Sequence, residues 1–225
     1  MKNETLVERQ LRLYRDNFLR HGDVPQGTFH NDVATQHLRF ERLLRPILPY
    51  AGEGFSIHDV GAGPADLHRY LEESAIRHAY SGSEIVPEMV EIALRKFNGI
   101  TMHCRDIAQA PSGERYDFVV LSGTFNMPGG VPSGDWKAFV LETIRKMFAM
   151  CRRGISFNFL TTYNTFSDPQ LFYLDPLEMA DFCIKELSRF TQLDHSYPLY
   201  EGTIAVFTKE CVQEHHAARQ FAKYF

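Results

Sequence analysis

The sequence predicts an α/β fold, with a largely parallel sheet covered by helices on both faces. Three observations predict it. Short β-rich apolar runs at 55–60, 79–83, 100–104, 116–122 and 155–160 alternate with helical patterns at 66–73, 87–97 and 136–150. A glycine-containing turn, Gly61-Ala62-Gly63, joins the first strand directly to the first of those helices. Strands that alternate with helices run parallel, because each helix carries the chain back across the sheet.

The elements follow in order. Leu11, Tyr14 and Phe18 share one face of a first helix, and Val33, Phe40, Leu43, Leu44 and Ile47 mark a second. The break between them, 21–30, holds Gly22, Pro25 and Gly27 and reads as a loop, with Asn31 or Asp32 placed to cap the second helix. After the fifth strand the alternation stops. Residues 161–174 form a polar and aromatic insertion, 176–187 a helix with proline in its first turn, and 190–196 and 203–209 a closing antiparallel pair. The expected organisation is one domain: a helical segment at 1–50, a core at 51–210 and a tail helix at 211–225.

Composition narrows the partners. A chain of 225 residues suffices for one well-buried core. The net charge of −4 lacks the basic excess that nucleic acid requires. No apolar run is long enough for a membrane span, and the charged amino terminus has no signal core, so a cytoplasmic protein acting on a small molecule is expected. Cys104, Cys151, Cys183 and Cys211 show no metal-ligand spacing, and His215-His216 lies in a charged tail, so no metal is expected.

The chemistry centres on His58-Asp59-Val60-Gly61-Ala62-Gly63-Pro64-Ala65-Asp66. Two glycines between a strand and a helix allow a ligand to lie against the strand end and the helix amino terminus. In a dinucleotide fingerprint, the position three beyond the second glycine is also glycine; here it is Asp66, whose carboxylate repels a pyrophosphate and suits an ammonium or sulfonium group. Glu84, 21 positions after Gly63 and followed by Ile85, ends the second strand where ribose hydroxyls are bound. Asp106 and Ile107 follow the third strand and offer an acceptor and an apolar face to an adenine. Ser122-Gly123-Thr124-Phe125-Asn126 follows the fourth, at the same edge.

These motifs resemble those of class I S-adenosylmethionine-dependent methyltransferases, over about 55–209. The resemblance implies a Rossmann-like seven-stranded sheet, order 3-2-1-4-5-7-6 with strand seven antiparallel, and an N-terminal helical lid. It assigns the methionine part of the cofactor to Asp59, Gly61 and Gly63, the ribose to Glu84 and the adenine to Asp106 with Ile107. Ala62, Asp66, Ile85, Ser122 and Gly123 complete the expected cofactor site. Ala65 stands where many members have a third glycine. Neither the Asp-Pro-Pro-aromatic type of segment seen in base-amine methylation nor the acidic ligands of the metal-dependent catechol enzymes occurs here, the corresponding segments being Ser122-Gly123-Thr124-Phe125 and Phe157-Asn158-Phe159.

The expected activity is therefore metal-independent, in-line transfer of a methyl group to an oxygen or nitrogen of a small metabolite, by a monomer or homodimer, with S-adenosylhomocysteine as product. The candidate acceptor residues are Tyr14, Phe125, Tyr163, Tyr173 and Tyr200, with Trp136 and His21 also considered and His30 as general base. Two alternatives stay open: a catalytically silent module that binds the same cofactor, and a nicotinamide-dependent oxidoreductase, which Asp66 disfavours.

Overall fold

The structure is a computed structural model that describes residues 4–225, so positions 1–3 of the expected 1–50 segment lie outside the described residues. Helix α1 (Leu6–His21) begins at Thr5, whose hydroxyl accepts from the Glu8 amide while the Glu8 carboxylate reaches back to the Thr5 amide. It stops at Gly22, with φ +77°. Pro25–Thr28 forms a single 3-10 turn, and Asn17 Nδ2 donates to the carbonyls of Gln26 and Gly27. The stretch expected as an open loop is thus held against α1. Asp32 caps helix α2 (Val33–Leu44) by accepting from the Thr35 amide at 2.7 Å.

The sheet follows the expected alternation. Strand β1 (Phe55–Val60), helix α3 (Asp66–Glu73), strand β2 (His78–Glu84), helix α4 (Pro87–Lys96) and strand β3 (Thr101–Cys104) form one parallel half. Strand β4 (Tyr116–Leu121), helix α5 (Ser133–Met150) and strand β5 (Cys151–Thr161) extend it on the other side of β1. Strand β6 (Tyr173–Leu174) was not anticipated: it adds two residues parallel to the end of β5. Helix α6 (Pro176–Glu186) leads to β7 (Thr191–Asp194) and β8 (Glu201–Phe207), which returns antiparallel against β5. The order is β3-β2-β1-β4-β5-β8-β7, the expected seven-strand order with β6 set aside.

Strand alternation sorts the core into two layers. Phe55, Ile57, Phe118, Val120, Ala205 and Phe207 face α2 and α3, whereas Val119, Leu121, Ile155, Phe157, Ile204 and Val206 face α5 and α6. Burying each such side chain contributes roughly 1.5–3 kcal/mol, so the register is fixed by apolar surface on both faces. In place of one tail helix over 211–225, helix α7 (Lys209–His215) begins two residues earlier and a 3-10 segment (Arg219–Tyr224) follows it; α7 belongs to this core, because its Cys211 and Val212 are buried. Among the described residues, no helix is long and apolar enough to cross a membrane.

Candidate cofactor and acceptor site

The carboxyl ends of β1, β2, β3 and β4 meet along one edge, and a cavity of about 870 Å³, including its open mouth, lies across them. Gly61, Gly63, Glu84, Ile85, Asp106, Ile107, Ser122 and Gly123 line it. Asp59, Ala62 and Asp66 border a smaller adjoining hollow that shares Gly61 and Gly63 with the first.

The turn is built for close approach. Gly61 has φ +70°, and a Cβ there would stand 2.3 Å from the Thr124 hydroxyl, so no other residue fits. Ala62 packs in turn over Gly82, where a Cβ would come within 2.6 Å of its methyl. Ala65 is left-handed at φ 64° and ψ 40°, a conformation that glycine adopts freely and alanine holds at a cost of about 1–2 kcal/mol. The backbone therefore keeps the shape of a three-glycine turn although the third residue is not glycine.

Three carboxylates serve the turn differently. Glu84 is buried and, among the described residues, has no basic partner; one oxygen accepts from the Gly63 amide and the other from the Val86 amide, both at 2.9 Å. Burial raises its pKa and those amides oppose the rise. A carboxylate has about four lone-pair sites, so two remain for a pair of hydroxyls. Asp59 is buried beneath the turn, and burial pushes its pKa up to about 7 against the Tyr80 hydroxyl, which donates to it at 2.9 Å. Asp66 is not the free anion that its position suggested: Arg69 lies 3.1 Å from it, Lys96 3.6 Å, and Gln36 donates to it. Asp106 caps the short turn Ile107–Gln109 through one oxygen, leaving the other free.

The opposite wall comes from outside the sheet. Leu6, Val7, Gln10 and Tyr14 of α1 close over the cavity, with Tyr14 also set edge-on against Phe29 at 5.2 Å. His30 lines it from the α1–α2 connection. Thr28 has one hydroxyl proton and gives it to the Pro25 carbonyl, so it accepts from His30 Nδ1 at 3.0 Å. That leaves Nε2 as a bare acceptor, buried and without a partner among the described residues. Burial and the Arg39 charge lower the His30 pKa to about 3. Gln10 Nε2 is likewise buried without a partner. Each orphaned group costs about 1–3 kcal/mol until something pairs with it.

Other candidates lie elsewhere. Phe125 is a core residue, edge-on to Phe157 and 1% exposed, and only its carbonyl has a polar task, accepting from Trp136 Nε1. Trp136 does reach the cavity wall. Tyr163 and Tyr200 are exposed, Tyr200 pairing with the Thr165 hydroxyl, and the Tyr173 hydroxyl accepts from the Asp168 amide; none lines the cavity. His21 ends α1 in solvent. Sequence reasoning missed Gln10 and Arg105. Arg105 lines the cavity, held by Glu114 and by the Ser83 hydroxyl. Its place directly before Asp106 was the available signal.

No family model matches the chain. A Mycobacterium tuberculosis protein named "Putative methyltransferase Rv1506c" is 36% identical over 158 residues, covering 69% of this chain and 95% of that protein. The structure of a SAM-dependent methyltransferase from Leishmania major superposes with a TM-score of 0.61 at 15% identity, covering 90% of this chain and 83% of that one. The N-methyltransferase NodS from Bradyrhizobium japonicum, solved with S-adenosylhomocysteine, gives a TM-score of 0.53 at 14% identity, covering 88% and 97%.

Proposed function

The chain belongs to the methyltransferase family of its mycobacterial relative and has the fold of the class I S-adenosylmethionine-dependent enzymes, and from that premise we propose that it methylates an oxygen or nitrogen of a small metabolite. When bound, the cofactor supplies a methyl carbon activated by an adjacent sulfonium. The residues present fit it. Gly61 and Gly63 give the close approach, Glu84 keeps lone pairs for the ribose hydroxyls, Asp106 with Ile107 suits the adenine, and Asp59 puts a carboxylate under the methionine end. Displacement at a sulfonium-bound carbon needs position and desolvation more than acid or metal catalysis.

The observation that carries the acceptor reading is the unpartnered Nε2 of His30, on the wall facing those strand ends. A hydroxyl or amine of the acceptor would donate to it, which turns the nucleophile's lone pair away from the histidine. A pKa near 3 leaves Nε2 unprotonated throughout the neutral range. An oxygen that is gaining a methyl becomes acidic enough to release its proton even to so weak a base, while a neutral amine needs only the orientation. His30 is thus the proposed base, and Tyr14, which shares the wall, a proposed acceptor contact. A cavity of this size and the −4 net charge favour a free, cytoplasmic metabolite over a nucleic acid. Helix α1 is the proposed lid.

A labelled-methyl assay against metabolite pools, with identification of the product, tests the reading. Transfer to a small hydroxyl or amine compound supports it. Binding of S-adenosylhomocysteine with no turnover on any fraction would mean a silent module, and binding of a nicotinamide dinucleotide in its place would mean an oxidoreductase.

A further inference from the structure

Away from the cavity, two histidines and a glutamate meet where α3 packs on β2. His68 and Glu72 are four residues apart, hence on one face of α3, and His78 opens β2. His68 Nδ1 and His78 Nε2 are 2.8 Å apart, and one ligand atom from each of the three residues lies within 4.8 Å of the others. His68 is buried, His78 half-buried and Glu72 exposed, so the cluster opens to solvent on its carboxylate side.

The surroundings set both rings. The Ile76 carbonyl can only accept, so His78 Nδ1 donates to it at 2.7 Å and Nε2 turns a lone pair into the cluster. The His68 ring is held by the edge contact with Phe97 at 4.8 Å and by Tyr80 at 5.1 Å. A carbonyl fixing one imidazole nitrogen while the other is offered is the support that metal-binding histidines ordinarily have. Two imidazoles and a carboxylate suit a borderline ion rather than the hard, oxygen-seeking magnesium or calcium.

We propose that His68, Glu72 and His78 bind one divalent transition ion of the zinc type. At zinc–nitrogen distances of about 2.0–2.1 Å, tetrahedral coordination separates two ligand nitrogens by ~3.3 Å. The rings therefore part by about half an ångström, and the ion takes the place of the proton now shared between them, which moves to His68 Nε2 so that both ligands stay neutral imidazoles, with water completing the shell. The ion acts as a clamp and not in catalysis, since none of the three ligands lines the cavity. It ties the far turn of α3 to β2. The near end of α3 starts at the glycine turn, and Tyr80, two residues past His78, holds Asp59 beneath it.

The test titrates cobalt(II) and zinc(II) chloride into the tag-free chain. The expected result is one saturable equivalent, cobalt absorption of the four-coordinate type and a melting temperature raised a few degrees by zinc. H78N and E72Q should each weaken zinc at least tenfold, while H215A/H216A binds like the parent. Circular dichroism without metal checks that the variants fold, and E72Q, changed at an exposed position, serves if H78N does not. Absence of a saturable equivalent, undiminished binding by E72Q, or loss of binding in H215A/H216A would overturn the assignment.

Discussion

The two walls of the cavity are made differently. The wall proposed for the cofactor is a row of strand ends whose groups are placed by backbone: Gly61 by its positive φ, Glu84 by two amides, Asp106 by a turn it caps. The wall proposed for the acceptor is assembled from α1, the connection carrying His30 and the start of α5, segments far apart in sequence that meet through side chains. The first wall should tolerate almost no change of shape. The second should respond residue by residue, and in turnover before affinity.

The contrast is sharpest at Gly61. G61V places branched carbons on Thr124 at a left-handed position, and S-adenosylhomocysteine binding should vanish from calorimetry; retained binding would break the cofactor assignment. On the other wall, H30A should lower kcat by roughly 100-fold with a hydroxyl acceptor and leave cofactor affinity within about twofold. Were affinity to fall as much as kcat, His30 would belong to the cofactor wall.

E84A should weaken the cofactor by roughly 1.5–3 kcal/mol, the value of charged hydrogen bonds. Asp59 gives the pH dependence. Its folded pKa, near 7, lies above the ordinary carboxylate value, so the contribution of this one group to the stability of the ligand-free fold is fully present below about pH 4 and is lost as pH rises through 7. A cationic ligand prefers ionised Asp59, so affinity should run the opposite way, rising roughly tenfold from pH 6 to pH 8. D59N should flatten that profile, and Y80F should move its midpoint upward, since the lost hydroxyl favoured the charged form. Smallest of all, Y163A and Y200F should leave kcat/KM within about twofold; a larger loss would extend the acceptor wall to the insertion after β5.

How much could be read from the sequence follows the same division. The placement of the strand ends, the glycine turn, Glu84 and Asp106 was legible because it is local, fixed by position relative to one strand or turn. Even there, the second salt partner of Asp66 was not, since Lys96 meets it only through folding, whereas Arg69 stands three positions on in the same helix. Of the acceptor aromatics only Tyr14 lines the cavity, because aromatic content says nothing of direction: Phe125 turns into the core, and Tyr163 and Tyr200 towards solvent. The two residues of β6 were too few to show periodicity. The grouping of His68, Glu72 and His78 was also hidden, because half of it depends on a helix face and half on a strand's register.

The attachment of α1 has a kinetic side. Besides the hydrogen bonds from Asn17 to the Gln26 and Gly27 carbonyls and from Arg9 to the Gly130 carbonyl, the Arg15–Glu88 ion pair ties it to the rest of the chain, and Lys96 holds Asp23 just beyond the helix. Exposed pairs of this kind are each worth about 0–1 kcal/mol and weaken once the ionic atmosphere shrinks to a few ångströms. Ionic strength thus becomes a handle on residence time: added salt should hasten the departure of spent cofactor while leaving single-turnover transfer, set deep in the cavity, at its original rate.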